Sequence, residues 1–461
     1  MNAKDLKKEL EYKNKSAFDS ITEDELERSF AYAESYKLFL DNAKTEREAV
    51  KYAVAMAKRK GYTEYSFGDE LSEGGKYYYN NRGKQLVIFK IGEESLEKGA
   101  YIMAAHIDSP RLDLKQNPLY EDSGFGMFKT HYYGGIKKYQ WATVPLSIHG
   151  VVIKGDGSTV EICIGEDDDE PIFYISDLLP HLAKDQMSKS LAEGITGEGL
   201  NIIVGSEPYR EEETDGAIKL NLLRILNEKY GICEEDFLSA ELTAVPAMHA
   251  RDIGLDRSLI AGYGHDDRVC AYPEITALFD SIDTSKTVFA VLADKEETGS
   301  DGVTGMQGEL FSDILWEVCE AKNANYRIVK ANSKCLSADV NAAFDPNYPE
   351  VLEKRNACYA NRGVVLSKFT GARGKSGTSD ATSEFTAYVR NMLNKNAVVW
   401  QMAELGKVDQ GGGGTVAKYI ANMNIDTIDV GVPVISMHAP YEAVSKLDLY
   451  MTYKAFCAFI G

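Results

Sequence analysis

Hydrophobic residues recur at helical spacing in the first sixty positions of the chain. Apolar residues between positions 21 and 44 repeat every three or four residues, which predicts a helix. Thr45 and Glu48 form a capping-box pattern that opens a second helix, and Gly61 suits its end. The pattern therefore predicts a helical start to the chain.

Short apolar runs that are typical of strands follow, separated by further helical patterns. Residues 76–92 alternate around a turn at 80–83 and predict a hairpin. Buried strands are predicted at residues 101–105, 288–293, 334–338 and 426–437. Helices are predicted after residue 268, at 308–321 and after the glycine run at 411–414. Alternating strands and helices indicate an α/β fold with a mixed sheet.

The pattern changes at about residue 111, where tyrosines and glycines become dense and the strands alternate. The predicted elements are strands at 147–154, 159–164 and 239–248 and helices at 177–187 and 217–230. We therefore expect residues 111–245 to form a β-rich domain. It would be inserted into a discontinuous α/β domain made of residues 1–110 and 246–461.

Composition excludes several classes of function. The net charge of -20 argues against nucleic acid and anionic membrane surfaces as partners. No apolar run approaches the roughly 20 residues of a membrane helix, and the first residues lack the apolar core of a secretory signal. The seven cysteines form no C-x-x-C pair, which predicts reduced thiols in a cytoplasmic protein.

Carboxylates and imidazoles follow the predicted strands, where ligands collect in open α/β sheets. The adjacent pair Glu296 and Glu297 comes after the strand at 288–293. Side by side they would repel each other, unless one binds a metal and the other handles a proton. His106, Asp339 and His438 also follow predicted strands, and Asp266 stands where a loop leads into a predicted helix. Any one of these residues is a weak signal, but one cleft could collect all of them.

Imidazole and carboxylate groups without thiolates suit zinc, with cobalt and manganese as alternatives. Two ions close together need a shared carboxylate plus one histidine and one acid each, and this set offers that stoichiometry. Asp108, two residues after His106, could accept the other imidazole N–H and fix the ring.

Five segments resemble, in order and spacing, the motifs of the aspartyl aminopeptidase family of metallo-aminopeptidases. They are residues 105–110, 264–268, 294–300, 337–341 and 436–439. The resemblance extends from about residue 20 to the end. It implies a phosphorylase/hydrolase-like α/β core with an inserted β-rich dimerisation domain. It also implies hydrolysis of the N-terminal residue of small peptides, in closed homododecamers built from dimers.

The resemblance also implies a role for each matching residue. The metal ligands would be Asp266 as the bridge between two ions, His106 with Asp339 at one ion, and Glu297 with His438 at the other. Glu296 would be the general base, and Asp108 would orient His106.

One position departs from the pattern of several relatives, in which asparagine follows the bridging aspartate. Asp267 stands there in this chain, so either Asp266 or Asp267 could bridge the ions. Asp266 is favoured because it matches the ligand position, and Arg268 could pair with Asp267. His265 is an extra candidate ligand in a set that is already complete.

The residue removed from the substrate stays open between acidic Asp or Glu and a neutral or apolar residue. Lys368, which matches the family's substrate-side lysine, lies with Arg373 and Lys375 in a basic loop. That loop could bind an acidic side chain or simply be solvated. His181, in the inserted segment, could reach a neighbouring subunit's active site or be structural.

Other functions fit parts of the same pattern. A different di-metal amidohydrolase, such as a deacylase or carboxypeptidase, would use the same ligands, and a scaffold protein could carry a vestigial site. A phosphate-binding loop at Gly374 and Lys375 is rejected because Phe369 stands where its first glycine is required.

Overall fold

The computed structural model describes residues 1–210, 215–283, 285–371 and 373–461. Residues 211–214 of the predicted inserted domain lie outside these ranges. The helices are α1 (Ala3–Leu10), α2 (Glu23–Asp41), α3 (Glu46–Arg59), α4 (Lys184–Met187), α5 (Leu191–Gly194), α6 (Ala217–Tyr230), α7 (His265–Asp280), α8 (Leu310–Ala321), α9 (Tyr326–Asn332), α10 (Ser383–Lys395), α11 (Ala417–Asn422) and α12 (Lys446–Ile460). Within the described ranges, no helix is both long enough and apolar enough to span a bilayer.

The strands fall into three sheets. They are β1 (Thr63–Glu64), β2 (Lys76–Asn81), β3 (Gln85–Lys90), β4 (Tyr101–His106), β5 (Arg111–Asp122), β6 (Phe125–Tyr133), β7 (Leu146–Ile153), β8 (Thr159–Ile164), β9 (Ile202–Gly205), β10 (Ala240–Pro246), β11 (Arg251–Ile253), β12 (Leu259–Gly262), β13 (Val288–Ala293), β14 (Lys334–Ala338), β15 (Asn341–Ala342), β16 (Val364–Ser367), β17 (Trp400–Met402), β18 (Asp426–Gly431), β19 (Pro433–Ile435) and β20 (Glu442–Ser445).

The main sheet has nine strands in the order β1-β2-β3-β13-β4-β14-β18-β16-β17. Its centre, β13-β4-β14-β18, is parallel, and β3 and β16 run antiparallel on either side. Ala293 pairs with His106, so the carboxyl ends of β13 and β4 coincide. The same parallel register brings the end of β14 to this edge.

Helices cover both faces of the main sheet. In β4, Met103 and Ala105 pack into one buried cluster with α2, α7 and α12. The alternate residues Ile102 and Ala104 pack into a second cluster with α8, α9 and α11. Successive side chains of a strand point to opposite faces, so a strand buried on both sides reads as a continuous apolar run. The predicted mixed α/β class is confirmed.

A second sheet, called the insert sheet after the predicted inserted domain, has six strands in the order β8-β7-β10-β5-β6-β9, all of them from between Arg111 and Pro246. It has its own buried cluster, which includes Trp141 and Leu146. The helix predicted at 177–187 is wrong for most of its length, because only Lys184–Met187 is helical. Pro180 cannot continue a helix, and the leucines beside it are exposed.

The side sheet has five strands in the order β11-β12-β20-β19-β15. The single strand predicted at 426–437 is wrong, because β18 ends at Gly431 in the main sheet and β19 begins at Pro433 in the side sheet. Proline has no N–H to donate to a ladder, and it stands at the first residue of β19, where strands accept it. This change of sheet leads the chain to His438.

Candidate metal centre

The predicted ligands lie at one edge of the main sheet, at the ends of strands or in the first turn of a helix. His106 ends β4, Asp339 follows β14, Glu296 opens a short 3-10 turn after β13, Asp266 lies in the first turn of α7, and His438 follows β19. Close approach is possible because Gly431 has no side chain. A Cβ there would lie 1.7 Å from the Asp339 carbonyl oxygen.

Asp266 lies between the two imidazoles. Its Oδ1 is 3.1 Å from His106 Nε2, and its Oδ2 is 3.1 Å from His438 Nε2. Asp339 Oδ1 is 3.8 Å from His106 Nε2, and Glu297 Oε1 is 3.4 Å from His438 Nε2. One carboxylate therefore faces both histidines, with a further acid beside each.

Glu296 lies on the His106 side of this cluster. Its Oε2 is 3.9 Å from His106 Nε2. Ligand atoms of His106, Glu296 and Asp339 lie within 4.8 Å of one another. Burial is the main reason that the pKa of the Glu296 carboxyl is raised to about 8, and the Asp339 carboxylate adds to the effect. Such a group can exchange a proton near neutral pH.

The charges of the cluster fit a bound cation. Burial raises the pKa of Glu297 well above its usual range, and the Asp266 carboxylate adds to this. Although burial opposes this, the neighbouring imidazoles of His106 and His438 lower the pKa of Asp266. Asp266 Oδ1 and Glu297 Oε1 are buried without a hydrogen-bond partner. Oxygen and imidazole nitrogen donors without thiolates suit zinc, and a cation would satisfy the orphaned oxygens.

Asp108 supports His106 and the glutamate pair together. The His106 Nδ1–H donates to the Asp108 carbonyl oxygen over 3.0 Å, and Asp108 Oδ1 lies 3.3 Å from the same nitrogen. The two carboxylate oxygens also accept the backbone N–H groups of Glu296 and Glu297, each over 3.2 Å. The Nδ1 bond directs His106 Nε2 towards Asp266, which is the usual arrangement of a metal-binding histidine.

Sequence reasoning missed three further residues that contact the ligands. Glu442 is buried and accepts the backbone N–H groups of Asp266 and His438 over 3.1 and 2.7 Å. The Ser109 hydroxyl donates to the Asp266 carbonyl, and the Gly135 carbonyl accepts from His438 Nδ1. The only signal for Ser109 was its place within the segment 105–110, and Glu442 lies three residues beyond the segment 436–439. A backbone carbonyl such as that of Gly135 has no sequence signal.

The expected pair of Arg268 with Asp267 is wrong. Arg268 donates to the Lys44 carbonyl over 2.9 Å and lies against the Tyr263 ring. Both carboxylate oxygens of Asp267 are buried without a hydrogen-bond partner. His265 bonds Tyr36 through Nδ1, and burial lowers its pKa to about 3. It is therefore neutral and held away from the cluster by that bond.

A cavity of about 310 Å³ adjoins the cluster. Its apolar lining includes Val340, Val365, Leu405 and Met437, and the glycines at 412–414 form another part of the wall. Lys375 lines a neighbouring cavity instead, and its amine lies 2.8 Å from Asp380.

The other predicted substrate residues lie outside this lining. Lys368 follows the lining residue Ser367 but is not itself part of the wall. His181 is exposed in a turn ahead of α4. Within one chain, the structure therefore does not bring Lys368, Lys375 or His181 into the cavity wall.

The chain resembles known proteins over nearly its whole length. A family model described as aminopeptidase I zinc metalloprotease (M18) matches residues 39–460. A Clostridium acetobutylicum protein named "Probable M18 family aminopeptidase 1" is 51% identical over 459 residues, which is 98% of each chain.

Solved structures match as well. The crystal structure of an M18-family aminopeptidase from Thermotoga maritima has a TM-score of 0.92 at 43% identity, covering 98% of this chain and 99% of that one. The mApe1 dodecamer of Saccharomyces cerevisiae has a TM-score of 0.77 at 23% identity, covering 93% and 96%. At that identity the second match shows the fold alone.

Proposed function

The chain belongs to the M18 family of zinc metallopeptidases and is an aminopeptidase, and from this premise we propose that the cluster around Asp266 is its active centre. The observation that carries the proposal is the pair of 3.1 Å contacts from the two Asp266 oxygens to different histidines. A deacylase, a carboxypeptidase or a scaffold is disfavoured because the relatives are named aminopeptidases.

Two divalent ions would be held by this chain's own side chains. Asp266 would be shared, with His106 and Asp339 completing one position and Glu297 and His438 the other. Zinc is the metal named for the family, and cobalt or manganese would suit the same donors. When bound, such ions lower the pKa of a water molecule and polarise the scissile carbonyl.

Glu296 would act as the general base. Its carboxylate takes a proton from the attacking water and later gives it to the leaving amine. Burial favours the protonated form of Glu296, which suits a group that carries a proton from the water to the amine. Asp108 holds the backbone of Glu296 in place and fixes the His106 ring.

The preferred N-terminal residue would be neutral or apolar. Among the described residues that line the cavity there is no lysine or arginine, and the lining includes Asp429. An acidic side chain would therefore enter a pocket whose described lining offers it no basic side chain. Lys368, adjacent to the wall, is the residue that would support the acidic alternative.

Peptide cleavage should require bound metal, and its preference for the N-terminal residue should reflect the lining of the pocket. On dipeptide amides with Asp, Glu, Leu, Met or Lys at the N-terminus, we expect Leu and Met to exceed Asp and Glu by about 10–100-fold in kcat/KM. Chelation should abolish cleavage, and added zinc should restore it. Cleavage that survives complete metal removal would contradict the metal centre. Fastest cleavage of the Asp or Glu substrates would instead assign Lys368 to the pocket. Lys368→Ala would then have to make the Leu and Met substrates the faster ones.

The assembly would be a homododecamer built from dimers. We propose that residues 111–245 form an oligomerisation domain inserted into a phosphorylase/hydrolase-like core of residues 1–110 and 246–461. The mApe1 relative forms a dodecamer. A run of exposed apolar side chains in this segment supports such contacts: Ile172, Leu178, Leu179, Leu182, Met187 and Leu191. We place the protein in the cytoplasm, supported by its free cysteines.

Light scattering on the purified protein should give a mass twelve times that of one chain. Leu182→Asp combined with Met187→Asp should reduce this mass, because charges would then replace apolar contacts. Leu255→Asp, at an exposed leucine outside the segment, is the matched control and should leave the mass unchanged. A monomeric wild-type protein would refute the proposed assembly.

A further inference from the structure

The inserted segment reaches the metal centre through the end of β6. Tyr133 is the last residue of that strand, and its hydroxyl donates to Asp108 Oδ2 over 2.7 Å. A side chain on Gly134 would lie 3.3 Å from Glu297, so the backbone there passes close to that ligand. The Gly135 carbonyl accepts from His438 Nδ1 over 2.7 Å. Three consecutive residues of the insert therefore contact the centre or its support.

The Asp108 carboxylate connects Tyr133 to the reacting groups. Oδ1 faces His106 Nδ1 and accepts the Glu296 backbone N–H. Oδ2 accepts the Glu297 backbone N–H and the Tyr133 hydroxyl. Asp108 is wholly buried, so water cannot replace a donor that is removed. Without Tyr133, Oδ2 would keep only one of its two donors.

Tyr133 is itself held rigidly. The Arg111 guanidinium lies 4.0 Å from the centre of its ring. Arg111 donates to Glu46 Oε2 over 3.0 Å and to Asp113 Oδ1 over 2.8 Å. Glu46 belongs to α3, so the ring lies between the insert sheet and the α/β core. A hydroxyl positioned in this way can set the orientation of a carboxylate.

We propose that Tyr133 is a positioning residue of the metal centre. By fixing the Asp108 carboxylate, it sets the positions of the Glu296–Glu297 turn and the His106 ring. The inserted segment thereby contributes to a site whose ligands lie at the edge of the main sheet. The inference rests on the proposed function, because it assumes the roles proposed above for Glu296 and Glu297.

Tyr133→Phe removes the hydroxyl and keeps the ring. We expect kcat to fall about 10–100-fold and metal affinity, measured by chelator competition, to weaken by a similar factor. KM should change little, because Tyr133 does not touch the cavity. Tyr132→Phe is the matched control: it is the exposed neighbour in the same strand and should match wild type in both measurements.

A double-mutant cycle separates positioning through Asp108 from general damage. In an Asp108→Asn background, Tyr133→Phe should produce little further loss of metal affinity, because the two residues act through one bond. Full additivity would overturn the proposal. So would unchanged kcat and metal affinity in Tyr133→Phe, or a lower melting temperature with normal kcat per folded molecule. If wild type cleaves no peptide, the proposed function fails, and the metal-affinity comparison still decides the role of Tyr133.

Discussion

Replacing Glu296 with glutamine is expected to lower kcat by about 10²–10⁴-fold while metal content stays the same. The amide keeps the size of the side chain but cannot take a proton from water. The Glu296 backbone N–H would still donate to Asp108, so the turn should keep its place. The measurements are kcat on the best dipeptide amide and metal content after dialysis.

Glu297→Gln is the matched comparison, because it makes the same chemical change one residue further along. Glu297 Oε1 faces His438 Nε2, so its loss should lower metal content as well as turnover. Both variants should therefore have low activity, but only Glu297→Gln should have a lowered metal content. Near-normal turnover in Glu296→Gln would show that another group is the base.

Asp266→Asn should reduce the binding of both ions and bring turnover close to zero. Its two oxygens each lie 3.1 Å from a different histidine, so the substitution should disturb both positions at once. Metal affinity should fall by more than the factor of about 10–100 that is typical when a residue hydrogen-bonded to a metal ligand is replaced. Metal analysis at fixed free zinc is the measurement.

His438→Ala should lose metal at one position, and His249→Ala, at an exposed histidine, should lose none. Asp266→Asn that keeps two ions and normal turnover would refute the bridging assignment. In that case Asp267→Asn would have to show the loss, since ligand atoms of Asp267, Asp266 and Asp339 lie within 4.8 Å of one another.

Local sequence was sufficient for most elements of the core. The predicted helices at 21–44 and from Thr45 appear as α2 and α3, and each begins at a threonine capping box. The apolar run at 288–293 is β13, buried along its whole length. These elements depend on neighbours within a few residues, which is why pattern and capping reveal them. The family, too, was recognisable from five short segments in order.

Only the tertiary structure decided how the pieces meet. The register of β4 and β13 brings His106 near the glutamate turn, and the change of sheet at Pro433 brings His438 to Asp266. These arrangements, like the contacts of Glu442 and Gly135, join residues far apart in the chain. Local patterns do not encode such pairings, because hydrogen bonds across a sheet depend on strand order and register. The sequence by itself determined most elements of the core, the family and the candidate ligands, whereas the folded sheets decided which side chains face each other.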